Sequence, residues 1–439
     1  MRRGPVRALA LLMAVLLLAG CGGSATQSPG SSSSSSSSGS SGSAGSGTSS
    51  GSSGASNPSS SQANLPDEIE IGIITALTGS EAKFGEAHMR GYQIALEEIN
   101  AAGGVLGRPL KLIVEDDASK PENAISAAEK LATQTKVPLI IGSYSSAATL
   151  PAAQTATTYQ VPFIVPTAAA DNITEFGSRY VFRINSPSSE YASTVVNFLM
   201  DQVKPKTMAI VYENTNFGTS TAQPARELAE KAGIQVVAYE GYAKGAPDFK
   251  PLITKVKAAN PDVVLYVSYL LDATLLMRQA RELDFNPKVY IGAGAGFSTP
   301  EFVREEGAGK DAEYTFSATL WTTDVAWKGA KEFAEEFEKR YGVEPAYHSA
   351  ETHAALYLVK DVLERAGSLD REAVRQALAE TDMGPDATIF GPMKFNEKGQ
   401  NAHPMLVTQV QDGNYVTVWP SEYAAAAPIL PTPTWSERK

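Results

Sequence analysis

The chain has 439 residues, a formal charge of −11 and a single cysteine. At ~150 residues per domain, that length implies two or three domains rather than one core. An acidic balance without a basic block argues against nucleic-acid binding. One cysteine excludes an intrachain disulfide, a CxxC redox pair and every multi-cysteine zinc site.

Residues 1–20 begin with Arg2, Arg3 and Arg7, continue through 12 apolar residues over 8–19, and end on small residues before Cys21. This is the three-part layout of a secretory signal, and its apolar run is too short for the ~20 residues of a membrane-spanning helix. Removing the three arginines takes the charge from −11 to −14. Leu18, Ala19, Gly20 and Cys21 resemble the lipobox of bacterial lipoproteins. That resemblance implies cleavage before Cys21 and acylation of it, which would hold the protein on the extracytoplasmic face of the cell membrane. Residues 22–65 carry no Asp, Glu, Lys or Arg, are mostly Ser and Gly, and include eight consecutive serines at 31–38. Such a segment buries too little apolar surface to offset its ordering entropy, so 21–66 is expected to be a tether spanning roughly 35–40 Å.

From Glu68 onward, apolar β-rich runs alternate with helical periodicity. Strands are expected at 69–77, 110–115, 138–142 and 162–165, with helices at 86–102, 121–135 and 147–159. After an irregular stretch at 183–189 the alternation restarts. It gives helices at 189–202, 219–232, 249–258 and 271–283, and strands at 207–212, 236–242, 262–267 and 289–292. The pattern implies an α/β fold of two doubly wound parallel-sheet lobes. Helices at 327–341, 346–366 and 370–379 follow, then strands at 393–396, 405–410 and 415–419, the last two a hairpin around Asp412 and Gly413. The expected boundaries are 67–187 with about 320–390 for the first lobe, 188–319 with about 391–424 for the second, and an irregular tail at 425–439.

Catalytic motifs are missing. There is no GxxxxGK[ST] loop and no HExxH; the serine loop Gly142 to Ser146 does not match GxSxG, Gly292, Gly294 and Gly296 lack the spacing of a dinucleotide fingerprint, and His88, His348, His353 and His403 are too scattered for a metal cluster. Glu115, Asp116 and Asp117 end a strand and read better as a capped, solvated strand end than as an acid–base site. No enzymatic activity, metal or cofactor is expected.

Ligands of open α/β sheets sit at the carboxyl ends of the strands, beside helix N-termini. Three loops of the first lobe fit: Thr78 to Gly85, Ser143-Tyr144-Ser145-Ser146, and Thr167-Ala168-Ala169-Ala170. Their hydroxyls and amides can hold a carboxylate or, equally, do no more than cap helices. Taken with Ile71-Gly72-Ile73, Leu77-Thr78-Gly79, Phe84-Gly85, Asn100 to Arg108, Pro162 to Thr167, Tyr212-Glu213, Phe217-Gly218, Asp248-Phe249 and Leu363 to Gly367, the chain resembles the type I solute-binding proteins of ABC importers over about 69–419. Within these it is most similar to the branched-chain amino-acid (leucine/isoleucine/valine) binding family.

The resemblance implies two lobes joined by a hinge and closing on a small ligand, with an ABC permease as partner and a monomeric state. It implies that Ser145 and Ser146 lie at the carboxylate-binding loop, with the Ser146 hydroxyl and N–H on the ligand carboxylate. Thr167 would offer a carbonyl to an ammonium group and Ala169 an N–H to the carboxylate. Phe84, Phe217 and Tyr269 would form aromatic walls. Ala169 stands where the family often has Ser or Thr, and the loop around Gly292 to Gly296 has no acid where branched-chain binders carry a glutamate. A buried ammonium needs a counter-charge. Either Glu351 supplies it or the ligand is not an α-amino acid; urea, an amide or an aromatic acid stays open, as does a sensory role for the same fold.

Overall fold

The computed structural model describes residues 65–438; the signal, Cys21 and almost all of the tether lie outside them. Two sheets carry the fold. The first contains β1 (Ile69–Thr75), β2 (Leu110–Asp116), β3 (Ile140–Gly142), β4 (Phe163–Val165) and β5 (Val181–Arg183), in the order β2-β1-β3-β4-β5, all parallel. Between them run α1 (Ala82–Ala101), α2 (Pro121–Lys130), α3 (Ser146–Thr158) and the short α4 (Asn172–Glu175). The chain then leaves through α5 (Ser188–Phe198) for β6 (Thr207–Glu213), β7 (Gln235–Tyr242), β8 (Val263–Val267), β9 (Val289–Gly292) and β10 (Phe316–Thr319). These alternate with α6 (Asn216–Lys231), α7 (Lys250–Ala258), α8 (Leu270–Glu282) and α9 (Pro300–Val303). Central strands such as β8, sequence VVLYV, are buried at every residue, as expected of strands covered by helices on both faces.

The chain crosses back to the first lobe before α10 (Ala330–Tyr341), α11 (Tyr347–Ala366) and α12 (Arg371–Ala379). Helix α11 lies along α1 because Gly91 lets the backbones meet: a Cβ there would stand 2.2 Å from the Ser349 carbonyl oxygen. Ser349 Oγ donates to the Ala87 carbonyl at 2.9 Å, and Thr352 Oγ1 to that of His88 at 3.1 Å. Arg371 of α12 donates to the carbonyls of Val137 and Ala132 in the first lobe, at 3.1 and 2.8 Å. A short pair, β11 (Asp382–Met383) and β12 (Met393–Lys394), precedes a third crossing to β13 (Leu406–Gln411) and β14 (Asn414–Trp419). These two join the second sheet antiparallel, giving the order β14-β13-β10-β9-β8-β6-β7. The α/β class with parallel-sheet lobes therefore stands, the second sheet being mixed at one edge.

Several local expectations are corrected. Helix α1 begins four residues earlier than 86, because the Glu81 carbonyl accepts from the N–H groups of Phe84 and Gly85; Phe84 is thus on a helix rather than in a loop. Strands β5 and β10 were not anticipated: β5 (VFR) ends on a charged residue and β10 (FSAT) is half hydroxyl-bearing, so neither shows the continuous apolar run that marks the equally short β3, β4 and β9. Residues 395–401, expected with the second lobe, lie along β5: Arg183 N–H donates to Gly399 O, Asn401 N–H to Arg183 O, and Phe395 packs edge-on to Phe182 at 5.3 Å. The tail is irregular but docked on the second lobe, with Thr432 Oγ1 donating to Lys288 O at 2.8 Å and Trp435 Nε1 to Phe285 O at 2.6 Å.

Candidate ligand-binding site

Loops at the carboxyl ends of the strands in both sheets meet around a small cavity of about 20 Å³. From the first lobe it is lined by Tyr144 and Ser146 at the start of α3, by Thr167, Ala168 and Ala169 after β4, and by Asn185 at the first crossing. Phe217, Tyr269 and Ala295 come from the second lobe, Tyr191 from α5, and Tyr347 and His348 from the first turn of α11.

Ser146 opens α3, where the first N–H groups of a helix have no partners inside it and favour an anion. Its Oγ accepts from Ala170 N–H at 3.1 Å, leaving the hydroxyl proton free to donate. The 168–170 loop is held from behind by Arg183, which is 1% exposed: Nη1 donates to the carbonyls of Ala169 at 2.9 Å and Ala170 at 2.7 Å, and Nε to Gln400 Oε1 at 2.5 Å. Burial lowers this guanidinium to about 10, so it stays cationic at neutral pH. The peptide edges of the loop are thereby fixed, and sequence reasoning missed the residue that fixes them.

The Thr167 carbonyl accepts from Asn185 Nδ2, whose Oδ1 accepts from Tyr191 O–H at 3.1 Å. The carbonyl assigned to a ligand ammonium thus already has a donor. Ser145 is buried and absent from the lining; its hydroxyl faces Glu81 instead. Phe84 also stands behind the wall, stacked on Tyr144 at 4.1 Å and 11°, while Tyr144 supplies the surface. Phe217 and Tyr269 line the cavity as a stacked pair, 5.4 Å apart. Glu351 is likewise outside the lining, one turn along α11 from Tyr347 and His348, fully buried, and neither carboxyl oxygen has a hydrogen-bond partner. Burial pushes its carboxyl well above the usual range.

The other acids near the cleft are engaged. Asp117 accepts from Ser143 O–H and, at 2.8 Å, from Ser119 N–H. Asp116 ties the two flanking loops together, accepting from Leu77 N–H at 2.9 Å and Thr78 O–H at 2.6 Å, so the strand-end carboxylates are loop clamps. Glu213 accepts from Thr215 O–H at 2.7 Å and Tyr269 N–H at 3.3 Å, and burial raises it to about 7. Glu81 is paired with Lys244 of the second lobe. Among the described residues no His/Cys/Asp/Glu group is arranged to hold a metal ion.

Two lobes, a hinge crossed three times and a small polar-and-aromatic cavity between them define a solute receptor. The sequence model of the periplasmic binding protein family matches residues 68–414, and the chain belongs to that family, the extracytoplasmic solute-binding proteins of ABC importers. It is 32% identical to Leu/Ile/Val-binding protein homolog 7 of Brucella suis over 379 residues, 83% of this chain and 94% of the relative. Its fold is similar to that of the leucine-binding protein LivK of Thermotoga maritima, with TM-score 0.74, 26% identity, and 80% of this chain and 98% of the other covered. The branched-chain amino-acid substrate-binding protein LivJ of Streptococcus pneumoniae, solved with isoleucine, gives TM-score 0.74 at 27% identity, covering 80% and 100%.

Proposed function

We propose that this protein captures a small carboxylate-bearing solute, an amino acid or a close relative, in the interlobe cavity and delivers it to the permease of an ABC importer. In this reading it works as a monomer on the extracytoplasmic face of the cell membrane, held by Cys21, and carries out no chemistry on its ligand. The observation that carries it is the meeting, in one small cavity, of the α3 N-terminus with Ser146 and the aromatic pair Phe217–Tyr269 of the opposite lobe. The ligand carboxylate takes the Ser146 hydroxyl and N–H and the Ala169 N–H, while Tyr144, Phe217 and Tyr269 enclose the remainder.

The mechanism follows from where those groups sit. A ligand touching only one lobe leaves the open and closed states equally favoured, whereas one that touches both binds the closed state better and shifts the population to it. Its relatives' ligands support the amino-acid range: the Streptococcus pneumoniae LivJ structure holds isoleucine. Thermal denaturation with a panel of amino acids, amides, urea and aromatic acids tests the proposal. A binder at 100 times its Kd stabilises by about 2.7 kcal/mol, and absence of stabilisation by the whole panel would contradict the proposed ligand range.

A further inference from the structure

Beneath the cavity, between α1 and α11, lies a set of buried polar groups that lack partners. Glu351 Oε1 and Oε2, Tyr92 Oη, His88 Nε2 and His348 Nδ1 make no hydrogen bond, and their residues are at most 1% exposed. They belong together. His88 and Tyr92 are one turn apart on α1, and His348 and Glu351 one turn apart on α11. Burial raises the phenol pKa of Tyr92 on one side and of the cavity-lining Tyr191 and Tyr347 on the other, and the nearby Glu351 adds to each shift. His348 itself lines the cavity. A buried polar atom without a partner forfeits its hydration with nothing in return, so several in one place call for an occupant.

From this we infer that Glu351, Tyr92, His88 and His348 form a side-chain subsite continuous with the cavity, which takes a nitrogen head group bearing N–H donors, an amide or an amine. The inference rests on the receptor reading above and narrows its ligand class. An aliphatic side chain such as that of leucine would leave every one of these atoms unpartnered, whereas N–H donors meet the Glu351 oxygens and the free ring nitrogens. Sites built to hydrogen-bond a group reject the isostere lacking it far more strongly than apolar pockets reject a missing methyl. Of the acids around the cleft, Glu81 is paired with Lys244 through Oε1, and Asp117 and Glu213 accept hydrogen bonds, so Glu351 alone of these four has neither carboxyl oxygen bonded.

The test is calorimetric titration of the full chain with leucine, glutamine and ornithine, which share the α-amino acid end and differ in the side chain. The inference predicts that glutamine or ornithine binds at least ten-fold more tightly than leucine. Glu351→Leu, and more mildly Glu351→Gln, should erase that preference while leaving the melting transition cooperative. Titration in two buffers of different ionisation enthalpy separates the two head groups: an ammonium displaces the Glu351 proton into the buffer, and an amide does not. Leucine binding as tightly as both polar-ended ligands, or a preference unchanged in Glu351→Leu, overturns the subsite and leaves the receptor reading intact. No binding by any of the three overturns both for amino acids.

Discussion

Glu81 and Lys244 form an ion pair across the cleft, Glu81 at the start of α1 in the first lobe and Lys244 in the loop after β7 in the second. The Glu81 side chain is 2% exposed and Lys244 28%, and the Lys244 ammonium also lies 4.8 Å over the ring of Tyr269, a wall of the cavity. Burial raises the Glu81 carboxyl while Lys244 draws it back down. The contact exists only when the lobes are together, so it favours the closed state. Lys244→Met should destabilise closure by about 1–2 kcal/mol, less than the ~3–5 kcal/mol of a fully buried pair because Lys244 keeps some water. Ligand affinity should fall about ten-fold for every ligand alike, and small-angle scattering should report a more open average shape. Equal affinity and equal dimensions would remove the pair from the closing mechanism.

Ser146 carries the carboxylate end of the proposed site. Ser146→Ala deletes one donor and also the acceptor of Ala170 N–H. Affinity for a carboxylate ligand should drop by about 1–3 kcal/mol, read by calorimetry. A ligand without a carboxylate should respond much less, and equal losses for both would place the effect in the loop rather than on the carboxylate.

Arg183 positions that loop without lining the cavity. Arg183→Met leaves the buried carbonyls of Ala169 and Ala170 and the half-buried side chain of Gln400 short of a donor. A stability loss of about 3 kcal/mol or more is expected in denaturant titration, with weakened ligand binding beside it. Stability within 0.5 kcal/mol of the wild type, the range of an ordinary surface change, would mean that the loop holds its shape unaided.

Glu213 gives stability a defined pH dependence. Its carboxyl is raised from an unfolded value of 4.5 to about 7 in the folded protein, by burial. The folded state therefore holds the proton more tightly: the stabilisation is complete below pH 4.5 and is lost as pH rises through 7. Glu213→Gln should match the wild type's pH response below 4.5 and gain on it steadily up to about pH 8, by a few kcal/mol in total. Melting temperatures of the two proteins at pH 4, 6 and 8 read this directly, and parallel curves would contradict it.

The sequence showed the sheets where runs are continuously apolar, as in β3, β4 and β8, and the site loops where hydroxyl-bearing residues follow β3 and β4. Strands β5 and β10 were hidden by the charged and hydroxyl-bearing residues that interrupt their apolar runs, and the lobe membership of 395–401 by its dependence on backbone bonds to Arg183 rather than on any pattern. In the site, Ser146, Thr167, Ala169, Phe217 and Tyr269 line the cavity. Tyr144 was within a loop already singled out. Asn185, Tyr191, Tyr347 and His348 come from segments that only tertiary packing unites. Helical spacing did place Tyr347, His348 and Glu351 within one turn of α11, but not their burial without partners, which belongs to the α1–α11 interface that Gly91 permits.

Crystals of the protein grown with an amino acid that stabilises it test the central claim most directly. The account predicts density for one ligand between the lobes, its carboxylate at Ser146 and Ala169 and its body against Phe217 and Tyr269. Density elsewhere on the molecule, or an empty cavity at saturating ligand, would contradict it.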